Sequence, residues 1–120
     1  MKGVIEQGVV PAMFAEGGYN KRLSVIADPE LPVGSVYWMF DQTDMAAAKR
    51  ALGGHSCIAG NVPTALLALS TVGEVEKYVT NLLDECATDG GVVLQNGAVL
   101  DDAKPENLKA MIETGRNWRG

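Results

Sequence analysis

The 120-residue chain, 47% apolar and 21% charged, has a globular composition and the length of one domain spanning residues 1–120, too short for a complete large barrel enzyme. Its net charge of −5 repels phosphate backbones and anionic lipid surfaces, so neither nucleic acid nor a membrane is an expected partner. No apolar run approaches the ~20 residues of a spanning helix, and two well-separated cysteines without a secretory leader point to the reduced cytoplasm.

In chain order, short apolar runs alternate with segments of helical period, the pattern of βα units around a parallel sheet. The first run, Val9 to Ala15, contains Pro11, which removes a ladder donor and predicts an edge strand or a strand that begins there. After Gly17-Gly18, the spacing of Leu23, Ile26 and Ala27 predicts a short helix over 19–27, stopped by Asp28-Pro29; residues 28–34 then read as a loop. The second run, Val36 to Phe40, is continuously apolar and aromatic, which predicts a strand buried on both faces. A helix follows from Asp41 or Thr43, with Met45, Ala48 and Leu52 on one face and Gly53-Gly54 at its end.

The third run, Cys57 to Val62, leads through Pro63 into a short apolar helical turn at Leu66, Leu67 and Leu69. Thr71-Val72-Gly73-Glu74 is a capping-box pattern, and Val75, Tyr78, Val79, Leu82, Leu83 and Cys86 behind it form the apolar face of an amphipathic helix. The fourth run is Val92 to Leu94, with Gln95-Asn96-Gly97 read as a turn. Pro105 opens the last helix, whose buried face is Leu108, Met111 and Ile112 and which is expected to end at Gly115, ahead of Trp118. Four βα units result.

Ligands of parallel α/β folds bind beyond the carboxyl ends of the strands. Those positions hold Glu16 and Tyr19, then Asp41 and Asp44, then Asn61 and Thr64, then Gln95, Asn96 and Gly97. Such a set can hold a divalent cation, bind a cationic group, or supply a general acid and base. Glu16 and Asp41 are the expected catalytic carboxylates, with Tyr19, Asp44, Asn61 and Asn96 as substrate contacts. Asp41, Thr43 and Asp44 serve equally well as helix caps. The lone histidine forms an H-x-C triplet, His55-Ser56-Cys57, but it precedes its strand, at the end where stability rather than chemistry is usually built. A loop histidine and a buried structural Cys57 are expected, and Cys86 reads the same way.

Four segments carry a resemblance: Cys57-Ile58-Ala59-Gly60-Asn61-Val62-Pro63, Val72-Gly73-Glu74-Val75, Gly90-Gly91-Val92-Val93-Leu94, and Ala103-Lys104-Pro105-Glu106-Asn107-Leu108-Lys109-Ala110-Met111. In order and spacing they resemble the C-terminal part of the uroporphyrinogen decarboxylase superfamily. Phe14-Ala15-Glu16-Gly17 with Asn20-Lys21-Arg22-Leu23, and Phe40-Asp41-Gln42-Thr43-Asp44-Met45, resemble its preceding units. The resemblance implies the C-terminal half of a TIM (β/α)8 barrel, related to haem-pathway decarboxylases and corrinoid-linked methyltransferases.

By the same resemblance, a zinc ion and a corrinoid protein partner are expected, with metal-assisted methyl transfer to a thiol as the reaction. Glu16 falls where the second member of the methyltransferases' H-x-C pair would stand, as the one matching metal ligand. Phe14 replaces the first member. Ala98 stands in the turn where the decarboxylases place histidine and the zinc methyltransferases cysteine, so tetrapyrrole decarboxylation ranks last. Half a barrel exposes its inner face and two edges, which two copies would cover as a homodimer. The alternative is a non-catalytic truncated subunit that binds a partner half-barrel.

Overall fold

The computed structural model describes residues 1–120. In chain order the elements are α1 (Lys2–Glu6), β1 (Ala12–Ala15), α2 (Leu23–Ile26), β2 (Tyr37–Phe40), α3 (Met45–Leu52), β3 (Cys57–Val62), α4 (Thr64–Leu69), α5 (Val72–Cys86), β4 (Val92–Asn96) and α6 (Pro105–Asn117). The four strands form one sheet in the order β1-β2-β3-β4, and all three pairings are parallel. The expected series of four βα units is therefore present, each beside the one before it.

Local chemistry explains most boundaries. β1 starts immediately after Pro11, and the Pro11 carbonyl accepts from the Tyr37 amide at 3.0 Å, so the imino residue sits at a strand start on an edge. Asp44 caps α3 by accepting from the amides of Ala46 and Ala47. Thr71 and Glu74 complete the capping box of α5 in both directions. Pro105 occupies the first turn of α6. Asn107, fully buried, donates to the carbonyls of Leu67 at 3.0 Å and Ser70 at 2.8 Å, which joins the start of α6 to the end of α4.

Several expectations need correction. α1 was not expected: it is five residues long, contains Gly3 and has no fully buried residue, only Ile5 packing in part against the core. The helix expected over 19–27 shrinks to a single turn, because the Tyr19 amide is drawn to the Thr43 hydroxyl instead of into a helix. β4 continues through Gln95 and Asn96, since β3 reaches Val62 and offers both a partner. α6 passes Gly115 and ends at Asn117.

β2 departs most from expectation. Trp38 and Phe40 are buried while Tyr37 and Met39 are only half-buried. The alternation reflects a helix layer on one side of the sheet only. Ala15, Trp38, Phe40 and Ile58 face the helices and join Leu52, Leu67, Val75, Val79 and Leu83 in the core. On the other face, the register lines up Phe14, Met39, Ala59 and Val93 in one row and Ala12, Tyr37 and Cys57 in the next. Phe14 and Val93, at the two ends of that row, are 45% and 43% exposed. Cys57 is half-exposed on this face, not a buried core residue; Cys86 is buried.

The radius of gyration is 14.7 Å, above the about 13.6 Å of a compact domain of this length. The outer strands, β1 and β4, each have one unpaired edge. Beside β4, an apolar groove of about 450 Å³ runs under the C-terminal part of α6.

Candidate functional site

The carboxyl ends of the strands carry a polar rim whose loops are laced together. The amide of Gly17, just after β1, donates to Asp41 Oδ2 at 3.0 Å. The Gln42 amide returns a bond to the Gly17 carbonyl at 3.0 Å. Tyr19 N–H donates to Thr43 Oγ1 at 2.9 Å, and Asp44 N–H to Asn20 Oδ1 at 2.8 Å. These four bonds hold the loops after β1 and β2 as one unit. On the other side, Gly97 packs so closely on Asp41 that a Cβ there would stand 3.0 Å from the Asp41 carbonyl oxygen and 3.2 Å from Oδ1. Asp41 thus sits between the loops of the first and fourth units.

Asn61 follows Gly60, whose φ of +140° is a conformation that L side chains rarely adopt. Its side chain is buried, with Nδ2 donating to the Thr43 carbonyl and Oδ1 accepting from the Tyr78 hydroxyl at 3.0 Å. Burial raises the Tyr78 phenol above its ordinary value, helped by Cys86, Glu85 and Asp44, so the hydroxyl remains a donor. Asn96 donates to the Ala98 carbonyl, bracing the turn after β4. On the open face, Tyr37 donates to Gln95 Oε1 at 3.0 Å. Desolvation raises the Tyr37 phenol, with the Cys57 thiol as a smaller contribution in the same direction.

Asp41, Asp44 and Asn61 line a shared cavity of about 530 Å³ with Asn20, Thr43, Thr64 and Tyr78. Tyr19, Glu16 and Asn96 lie outside it. Tyr19 stacks under the Arg22 guanidinium, 5.5 Å from the ring centre. Glu16 is exposed and its side chain makes no hydrogen bond or ion pair with the rest of the chain. Tyr78, counted in the sequence only as an apolar helix position, is the residue missed. A phenol at helical spacing gives no sign that its hydroxyl reaches a strand end one layer away.

The carboxylates do not form a metal centre by themselves. A catalytic zinc takes three protein ligands and keeps an open position, and nowhere do three His, Cys, Asp or Glu side chains converge. Asp41 is engaged by the Gly17 amide and Asp44 caps α3, which leaves Glu16 as the free donor. The residues present therefore do not fit a zinc ion held by this chain alone. Asp41 and Asp44 give the cavity an acceptor lining suited to polar or cationic groups, with Glu16 outside it.

The family model described as uroporphyrinogen decarboxylase (URO-D) matches residues 1–118. Among solved structures, a methyltransferase from Methanosarcina mazei superposes on 96% of this chain with a TM-score of 0.74 at 18% sequence identity. That match takes in 33% of the methyltransferase, so the chain spans about a third of its length. No curated protein matches the sequence. At this identity the likeness establishes the fold, which is part of a barrel of parallel βα units.

Proposed function

The chain belongs to the uroporphyrinogen decarboxylase (URO-D) family, and from that premise we propose that it acts as one half of a methyl-transferring barrel, completed to eight strands by a second copy. The observation that carries this reading is the open sheet face. Phe14, Tyr37, Met39 and Val93 form an apolar surface between two unpaired edges, and a parallel sheet is stable with both faces covered. Completion by a second copy encloses that face and gathers two polar rims at one mouth.

In this reading Asp41, fixed from both sides by Gly17 and Gly97, orients a polar substrate group. Glu16, free of partners, is the residue that exchanges a proton with the acceptor thiol or contacts the donor. Tyr19 and Asp44 shape the rim, while Asn61 and Asn96 hold its loops in place. A methylated corrinoid protein is the methyl donor, and any zinc at the mouth takes most of its ligands from outside this chain. With Cys57 and Cys86 both free, the reduced cytoplasm is the fitting compartment.

The test pairs mass by light scattering with transfer of a methyl group from a methylated corrinoid to a thiol. A dimer that transfers methyl groups, and loses the activity on Glu16→Gln, is expected. A strict monomer, or an active dimer indifferent to that change, overturns the reading. One observation favours a second reading, a non-catalytic subunit that pairs with a partner half-barrel: no three metal donors meet at the rim. Stable dimerisation without methyl transfer, or co-purification with a longer barrel protein, supports that alternative.

A further inference from the structure

The two free edges of the sheet differ in shape, and they complement each other. Along β4, the groove under α6 is lined by Val92, Leu94, Met111, Ile112, Gly115 and Trp118. Ile112 is 51% exposed in its wall although α6 otherwise turns its apolar side inward. At the β1 edge the reverse holds. There the chain leading into the strand projects two apolar side chains, Val9 and Val10, which are 54% and 60% exposed. Both features lie at the amino-terminal end of the sheet. The cross-strand register places Met13, Trp38, Ile58 and Val92 on a single row, so the end of the segment Val9–Met13 is level with the start of the groove and Val9 and Val10 precede that row.

We infer that the groove beside β4 is a docking site for residues Val9–Met13 of a second copy of this chain, whose β1 pairs in parallel with β4. The inference rests on the dimer reading above and adds how the copies join. A two-fold axis parallel to the strands brings each β4 edge to the partner copy's β1 edge, so one contact made twice closes the ring and leaves no edge unpaired. Seating Val9–Met13 under α6 fills the groove and pairs the ladder groups left open on β1 and β4.

Two further observations identify the occupant as this same chain. The accessible surface is 6889 Å², against about 6,200 Å² for a closed monomer of this mass. The surplus of about 690 Å² approaches the roughly 800 Å² that each partner buries in a standard stable interface. Charge agrees as well. Arg116 stands at the groove, and Glu6, three residues before Val9, is exposed and has no ion-pair partner in its own chain.

The test uses the full chain with Ile112→Asp, Val9→Asp and, as a control on a remote surface, Leu69→Asp; all three sites are exposed, so the monomer fold is retained. Sedimentation velocity across a concentration series is expected to show a dimer for the unaltered chain and for Leu69→Asp. The dimer dissociation constant is expected to rise at least tenfold for each of the other two. Mixing Val9→Cys with Ile112→Cys, both in a Cys57→Ser background, is expected to give a disulfide-linked heterodimer under mild oxidation. If the dimer survives both Asp changes, or no crosslink forms, the groove assignment is overturned while dimerisation stands. If the unaltered chain is monomeric throughout, the dimer reading itself fails.

Discussion

The Tyr78 hydroxyl lies 3.0 Å from Asn61 Oδ1 and 3.1 Å from the Asn61 carbonyl oxygen, so a helix residue holds a strand-end residue by both of its acceptors. Asn61 passes the constraint on, since its Nδ2 donates to the carbonyl of Thr43, whose hydroxyl in turn accepts from Tyr19 N–H. Three units of the sheet meet in this chain of bonds.

Tyr78→Phe removes the donor and strands a buried acceptor, which costs about 1–3 kcal/mol. Asn61→Ala removes both bonds and leaves a small void, and is expected to cost more than Tyr78→Phe. Urea denaturation measures both. A double-mutant cycle in which the two losses do not add confirms the coupling; simple additivity refutes it.

Gly60 and Gly115 make a contrasting pair. A Cβ at Gly60 would stand 2.7 Å from the Phe40 carbonyl oxygen, with φ at +140°. Backbone cannot yield there, so Gly60→Ala is expected to destabilise the fold by at least about 2 kcal/mol. At Gly115 the clash is with Leu94 Cδ2 at 2.5 Å, the far end of a flexible side chain. Gly115→Ala, inside a helix where alanine is favoured by about 1 kcal/mol, is expected to be milder by thermal denaturation. Equal losses at the two sites contradict this account.

Cys57 reports on the open face. Desolvation raises its thiol above the ordinary value, and Lys49 only partly offsets this. A group whose pKa is higher folded than unfolded binds its proton more tightly when folded. Its contribution to stability is therefore lost as pH climbs from the unfolded value through the folded one. Alkylation by iodoacetamide, followed by mass spectrometry, is expected to be slow at neutral pH and to keep accelerating above the ordinary thiol range. It should also slow with protein concentration as the dimer covers the face. A rate that ignores concentration while the mass doubles places the interface elsewhere.

Glu16→Gln touches no partner in the fold, so its effect on stability is expected to stay within about 0.5 kcal/mol. On the proposed methyl-transfer reading, the rate is expected to fall by about 100-fold or more, the contribution of a positioned acid or base. Asn107→Ala gives the opposite profile. It removes one donor from each of the carbonyls of Leu67 and Ser70, which keep their bonds from Lys104, and empties a buried position, which costs about 2–4 kcal/mol in denaturant unfolding and has no direct effect on the rim.

Elements with strong local signals were legible in the sequence: the capping box at Thr71, the proline that opens α6, and the apolar runs of all four strands. The shift of Tyr19 out of helix was not, because it depends on a hydroxyl 24 positions away. The alternation in β2 was hidden for a different reason. Tyr37 and Met39 are as apolar as buried residues need to be, although the face they occupy has no helix layer over it. Of the site, residue types and strand-end positions were readable. The sequence could not separate Asn61 and Asn96, which brace loops, from Glu16, which has no structural partner. Residues of the G-N-x-P and P-E-N segments prove to be polar pins, since buried amides at Asn61 and Asn107 lock neighbouring units together.

Because the strands follow one another in space as they do along the chain, each unit finds its partner within a short stretch of sequence. Parallel pairing across a βα unit forms more slowly than contacts within a helix, yet every pairing lies within the one chain, so in the proposed dimer the half-barrel forms before it meets a second copy. Assembly of the proposed dimer is then a separate, bimolecular event with its own rate. The interval between the two is the period when the apolar row from Phe14 to Val93 is open to solvent, and it lengthens as the chain is diluted.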